Sequence, residues 1–165
     1  MTIKTIILPE KPPFPNAIWP VLIYTQVYAP GEHIDFAGHF KTRGWTGVWV
    51  NGVYSFDHFH ATAHEALGCI SGWVLLRLGG PEGVVIRISA GDAVLLPAGA
   101  GHRNLRQSGD FCIVGAYPPR QSPDIQRGDR SAYPELLSLS RAMPRPETDP
   151  VSDRSGIVAL WKHTA

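Results

Sequence analysis

The residues of this chain best suited to chemistry are three histidines and a glutamate. His58 and His60 stand two apart, and Glu65 follows after the four-residue connection Ala61 to His64. Alternate residues of an extended strand share a face, so the two imidazoles are expected to project together. Glu65, at the start of the next strand, can set its carboxylate opposite them. A third imidazole can come from His102, just past the Pro97-Ala-Gly-Ala-Gly101 turn that ends a run beginning near Gly91-Asp92. Three neutral imidazoles and one carboxylate form a borderline-hard ligand set, which suits Fe, Mn, Ni, Co or Zn better than Ca or Mg. Four protein donors leave two positions of an octahedron for substrate, water or dioxygen, whereas a structural site is normally closed. The plainer account, a metal-free cluster of hydrogen-bonded histidines, must find partners for every polar group that a barrel interior buries.

Other residues gather around this set. Tyr54 and Phe56 share strand parity with His58, so both are expected to line the same cavity, and Tyr54 is a candidate proton donor. The alternative for both is simple packing. His64 adjoins Glu65, and it is a candidate either for moving a proton or for a purely structural part facing away from the barrel. The catalytic candidates are thus Glu65, Tyr54 and His64. Asn104, two residues beyond His102, is a candidate for the pocket wall, against local turn bonding as the other account. Cys69 shares parity with Glu65 and Leu67 and is expected to be a small buried hydrophobe. Trp19, Trp45, Trp49, Trp73 and Trp161 read as core, dimer-contact or rim residues.

The elements that must position these residues are mostly strands. Short apolar or β-branched runs separated by glycine, proline or aspartate predict strands over 49–60, 66–71, 73–78, 84–89, 93–96, 103–106 and 111–117. Gly79 to Gly83 fits a hairpin loop. Ahead of them lie a proline-rich extended arm, 1–20, with one short strand near 5–8, a strand over 21–28, and a short helix within 32–43 after the Pro30-Gly31 turn. The barrel core is placed at 45–119. A covering excursion follows over 120–153, helical at 133–142, and a closing strand is expected at 157–161. At 165 residues this makes one domain.

Composition narrows the classes of partner. Fifteen Lys and Arg against 14 Asp and Glu give a formal charge of +1, too little to build a field for nucleic acid or an anionic membrane. Two cysteines, Cys69 and Cys112, are too few for a disulfide framework and are expected to be reduced. The apolar run Ile6 to Leu8 is far shorter than a signal-peptide core or a membrane span, so a cytoplasmic protein is expected. Unpaired strand edges behind a proline-rich arm point to a homodimer.

At the histidines the sequence resembles the cupin superfamily. Gly52, His58, His60, Glu65 and Gly72 stand at the fixed positions of its first motif, and Gly91, Pro97, Gly99 and His102 at those of the second. Arg106 occupies the last position of the second motif, where the family usually has Asn, while Asn104 sits two residues after His102. The wording His58-Phe-His-Ala-Thr-Ala-His-Glu65, with Gly115-Ala-Tyr-Pro-Pro119, is similar to that of a group of small single-domain cupins. The resemblance implies an all-β fold, the cupin double-stranded β-helix or jelly-roll barrel. It also implies one divalent transition metal on His58, His60, Glu65 and His102. The activity implied is that of a metal-dependent enzyme acting on a small oxygenated molecule, of dioxygenase, isomerase or decarboxylase type. A cupin that binds or senses a metabolite without converting it is the alternative.

Overall fold

The computed structural model describes residues 1–162. Their short β-branched and apolar runs form nine strands, β1 (Thr2–Ile6), β2 (Val21–Thr25), β3 (Thr46–Asn51), β4 (Glu65–Ser71), β5 (Trp73–Leu78), β6 (Val84–Ser89), β7 (Ala93–Leu96), β8 (His102–Gln107) and β9 (Cys112–Tyr117). Three helices join them, α1 (Phe36–Thr42), α2 (Tyr133–Ala142) and α3 (Ile157–Leu160). One sheet runs β1-β2-β7-β4-β9-β3 and the other β6-β5-β8. Every pairing is antiparallel. The two sheets close over a shared core as a jelly-roll barrel, the expected fold class.

Strand alternation divides the apolar residues between two layers. Leu67 and Cys69 of β4, Val94 and Leu96 of β7 and Ile113 of β9 meet Val74, Leu76, Leu78 and Ile88 of the smaller sheet. The opposite face of the larger sheet is covered as well. There Leu22, Tyr24, Leu95 and Val114 pack under Phe36 and Phe40 of α1, Trp45, and the C-terminal residues Ile157 and Trp161. Gly68 permits this approach, since a Cβ there would lie 2.2 Å from the Phe36 ring. Burial on both faces is why β4 reads as a continuous apolar run instead of an alternating one.

Several elements depart from the sequence expectations. The strand expected over 49–60 ends at Asn51, and 52–64 is an irregular segment tied down by isolated bridges, His58 to His102 and Phe59 to Gln126. The strand expected at 157–161 is the helix α3. Its chain is organised by the buried Asp149 carboxylate, which accepts from the main-chain N–H groups of Val151, Ser152 and Ile157 and from Tyr24 Oη. Ile157 and Trp161, four apart, then bury on one helical side. α1 starts at Phe36, later than expected, because the Asp35 carboxylate caps it by accepting from Gly38 N–H.

The N-terminal arm folds on its own barrel. β1 pairs with β2 from Thr2–Thr25 to Ile6–Val21, earlier than the strand expected at 5–8. Asn16 is buried, donates to the carbonyls of Pro9 and Gly79, and accepts from Gly101 N–H beside His102. No helix among the described residues is long and apolar enough to cross a membrane.

Candidate metal centre

Main-chain geometry brings the histidines together. His58 and His102 exchange both of their backbone hydrogen bonds, at 3.1 and 2.8 Å, so their side chains leave the same face, with ring centroids 4.0 Å apart. His60, one alternate position on, is drawn to the same point. The ligand nitrogens of His58, His60 and His102 all lie within 4.8 Å of one another, and all three side chains are buried. Glu65 opens β4 beside them, with Oε1 3.4 Å from Nε2 of both His60 and His102.

The tautomers follow from the neighbours. Nδ1 of His58 lies 3.0 Å from the carbonyl of Phe56, Nδ1 of His102 lies 3.0 Å from that of Ala100, and Nδ1 of His60 meets that of Asp124. A carbonyl oxygen can only accept, so each Nδ1 carries a proton, and in the neutral ring it is Nε2 that turns a lone pair inward. Orienting a histidine through its outer nitrogen is the usual support of a metal ligand.

The charges fit a cation. Burial alone would raise the Glu65 carboxyl, but the adjoining His60 and His102 more than reverse this, and it is held well below the usual carboxylate range. Burial, then the nearby His102, pulls His58 down to about 3, so it is neutral at ordinary pH. For His60, burial opposes protonation, but the Glu65 carboxylate outweighs it and the pKa is raised. A divalent transition ion suits three imidazoles gathered at one buried point with an ionised carboxylate beside two of them, and on binding it would displace the proton that Glu65 favours on His60.

Two residues that the sequence did not single out for the site complete the carboxylate's surroundings. Tyr117 Oη donates to Glu65 Oε2 at 2.9 Å, and Trp49 Nε1 donates to that same hydroxyl at 2.8 Å. Burial and then Glu65 push the Tyr117 phenol up, so it remains a donor. Gly115 makes room for this arrangement, because a Cβ there would fall 2.1 Å from the Trp49 indole. The sequence did carry a signal for Tyr117: it shares parity on β9 with Ile113, which belongs to the inner core. Asp124 gave none. From the covering excursion its carboxylate accepts from Ala61 N–H, Thr62 N–H and Thr62 Oγ1, fixing the loop whose Asp124 carbonyl holds His60.

The remaining candidates fall in different places. A cavity of about 330 Å³ opens beside the cluster, lined by His58, His60, Glu65 and His102 and also by Tyr54, which is 48% exposed at its mouth. Phe56 is not among the lining residues. Its ring stacks on Tyr54 at 4.8 Å, with the Arg127 guanidinium 3.7 Å above it. Asn104 is also outside the lining, and its side chain donates to Gln107 Oε1 at 2.7 Å. His64 is outside it too, packed against Trp19 and Trp161, with Nδ1 accepting from Ala98 N–H and Nε2 donating to the Pro144 carbonyl. Burial pulls His64 down to about 4, so it stays neutral. Asp57 pairs with Arg77 at 2.8 Å and so clamps the turn that carries the Phe56 carbonyl.

No family model matches the chain. Among solved structures, it is similar to an rmlC epimerase of Mycobacterium tuberculosis, with 14% identity, 97% of this chain and 87% of that one covered, and a TM-score of 0.45. It is also similar to acireductone dioxygenase of Bacillus anthracis with cadmium in its active centre, with 15% identity, 63% and 82% covered, and a TM-score of 0.43. Over nearly its whole length the chain is similar to the uncharacterized protein YjlB of Bacillus subtilis, with 29% identity over 161 residues and 96% of each chain covered.

Proposed function

We propose that this chain is a metal-dependent enzyme of the cupin kind, which takes up one divalent transition metal at His58, His60, His102 and Glu65 and acts on a small oxygenated organic molecule. The observation that carries this reading is the convergence of three buried imidazoles, each with its Nδ1 at a main-chain carbonyl, with the Glu65 carboxylate beside Nε2 of His60 and His102. An ion of the Fe, Mn, Ni, Co or Zn class would supply Lewis acidity there. The chain's own residues do the rest. Tyr117, steadied by Trp49, orients Glu65 through Oε2 and leaves Oε1 turned toward His60 and His102. Tyr54 Oη, for which no hydrogen-bond partner is seen among the described residues, is free to hold or move a proton at the cavity mouth. Val53, Leu67 and Ile125 give the walls an apolar surface.

The test is elemental analysis of protein purified without added metal, beside the His58→Ala/His60→Ala double variant. About one transition metal per chain is expected in the parent and essentially none in the variant. Full occupancy in the double variant rejects the site. A metal-loaded protein that binds oxygenated ligands but turns none over would move the reading to a metabolite-binding module.

A further inference from the structure

The cavity beside the histidines is built for one kind of guest. Apart from Glu65 and the three histidines, its described lining residues carry no ionisable group other than tyrosine, and neither lysine nor arginine is among them. Away from the cluster its surface is mostly aromatic and aliphatic, with Trp49, Tyr54 and Tyr117 beside Val53, Leu67 and Ile125, and Asn51 the one amide. Two of the aromatics are fixed in place: Trp49 by its bond to Tyr117, and Tyr54 by the stack it makes with Phe56 beneath Arg127. At about 330 Å³ the space is near the lower end for small-molecule sites, room for one ring system and its substituents. In the inner part of the cavity, against buried Leu67 and the half-buried Trp49, a phosphate, or a carboxylate placed away from the histidines, would lose its water without a counter-charge, and that is costly. A planar apolar ring would instead gain burial and stacking. The polar groups facing the cavity with no partner among the described residues are Tyr54 Oη and the Asn51 side chain, which suit a neutral hydroxyl or carbonyl on such a ring.

We propose that the ligand of this cavity is a small ring compound of the phenol or enol class, which presents oxygen to the histidine cluster and carries neither phosphate nor a second carboxylate. The inference rests on the metal reading above and narrows its substrate class. Tyr54 is the specificity-determining residue at the mouth.

The test uses protein loaded with cobalt(II), whose visible spectrum reports ligand exchange without any need for turnover. Azide, small enough for any accessible metal, serves as the control. Catechol is titrated against malonate and glucose 1-phosphate, with metal retention measured after each addition. The expected result is that azide and catechol both shift the spectrum, and that catechol binds at least about tenfold more tightly than malonate or glucose 1-phosphate. Tyr54→Leu should weaken catechol about three- to tenfold and leave azide unchanged, since the loss is one aromatic contact at a half-exposed position. Failure to load cobalt, or a spectrum that azide does not perturb, would overturn the metal reading itself. A normal azide response with malonate or glucose 1-phosphate binding as tightly as catechol would overturn the ring-compound proposal alone, as would a Tyr54→Leu variant that binds catechol undiminished.

Discussion

His58 and His102 form a reciprocal main-chain pair, each donating its N–H to the other's carbonyl, and this pair sets the two imidazoles side by side. Because the pairing uses the backbone, it survives truncation of the side chains. His58→Ala and His102→Ala should therefore fold with unchanged far-ultraviolet circular dichroism. Added cobalt or zinc should raise the melting temperature of the parent by roughly 8–16 °C, the shift that about 4 kcal/mol brings at a metal concentration of about 1,000 times Kd, and should leave both variants unmoved. An equal rise in all three proteins would place the metal elsewhere.

Tyr117 reaches the histidine cluster chiefly through its hydroxyl on Glu65. Replacing it with Phe removes the hydroxyl that holds Oε2 and leaves Trp49 Nε1 without its acceptor. Losses of this kind typically lower metal affinity about 10- to 100-fold. Competition against a chromophoric chelator should read a fall of that order in Tyr117→Phe, and unchanged affinity would show that the hydroxyl does not position the carboxylate.

Asp124 is expected to behave in the same direction from the other side of the site. Asp124→Ala takes away the acceptor for Ala61 N–H, Thr62 N–H and Thr62 Oγ1, so the loop whose carbonyl fixes His60 loosens. Metal affinity should fall by about tenfold or more, with partial recovery in Asp124→Asn, which keeps an acceptor oxygen. Equal affinities in parent and Ala variant would remove Asp124 from this account.

His64 gives the fold an acid sensitivity. Its pKa is pulled from 6.5 to about 4 by burial, so the unfolded chain binds a proton that the folded one refuses. The contribution is fully present above about pH 6.5 and is lost as the pH falls toward 4, by up to about 3 kcal/mol. Urea unfolding of chelator-treated protein at pH 7 and pH 4.5 should show this drop, and His64→Gln should show a shallower pH slope. Identical slopes would assign the acid sensitivity to other groups.

The two thiols should differ in reactivity. Burial pushes Cys69 up to about 12, and its Sγ contacts the Ser71 carbonyl, while Cys112 is only partly buried. Iodoacetamide at pH 8 should label Cys112 in the native protein at least about tenfold faster than Cys69, as read by peptide mass mapping. Comparable rates would mean that the inner core opens readily.

Local pattern was enough for much of this protein. β5, β6, β7 and α2 lie where the sequence places them, because each is a short run with one period bounded by glycine, proline or aspartate. Glu65 and His102 each open a strand next to a turn and were legible for the same reason, whereas His58 and His60, two apart, lie in an irregular stretch whose local extension comes from the His58–His102 and Phe59–Gln126 bridges. What local pattern lacks is the identity of distant partners. Whether 157–161 became strand or helix was decided by the buried Asp149 carboxylate, which gathers the nearby N–H groups of Val151, Ser152 and Ile157 and is itself held by the hydroxyl of Tyr24, 125 positions away. Tyr54 and Phe56 share a parity, but strand β3 stops at Asn51, so alternation no longer governs them, and only Tyr54 lines the cavity. His64 and Glu65 are adjacent, and the sheet sends them to opposite sides. The hydroxyl of Tyr117 and the carbonyl of Asp124 reach the site from more than 50 residues away, through hydrogen bonds that exist only once both sheets have closed. The sequence by itself determined which side chains have the chemistry to hold a metal; the tertiary structure decided which of them gather, which carboxylate oxygen is held and which residues line the space beside them, because those depend on contacts between segments with no local relation.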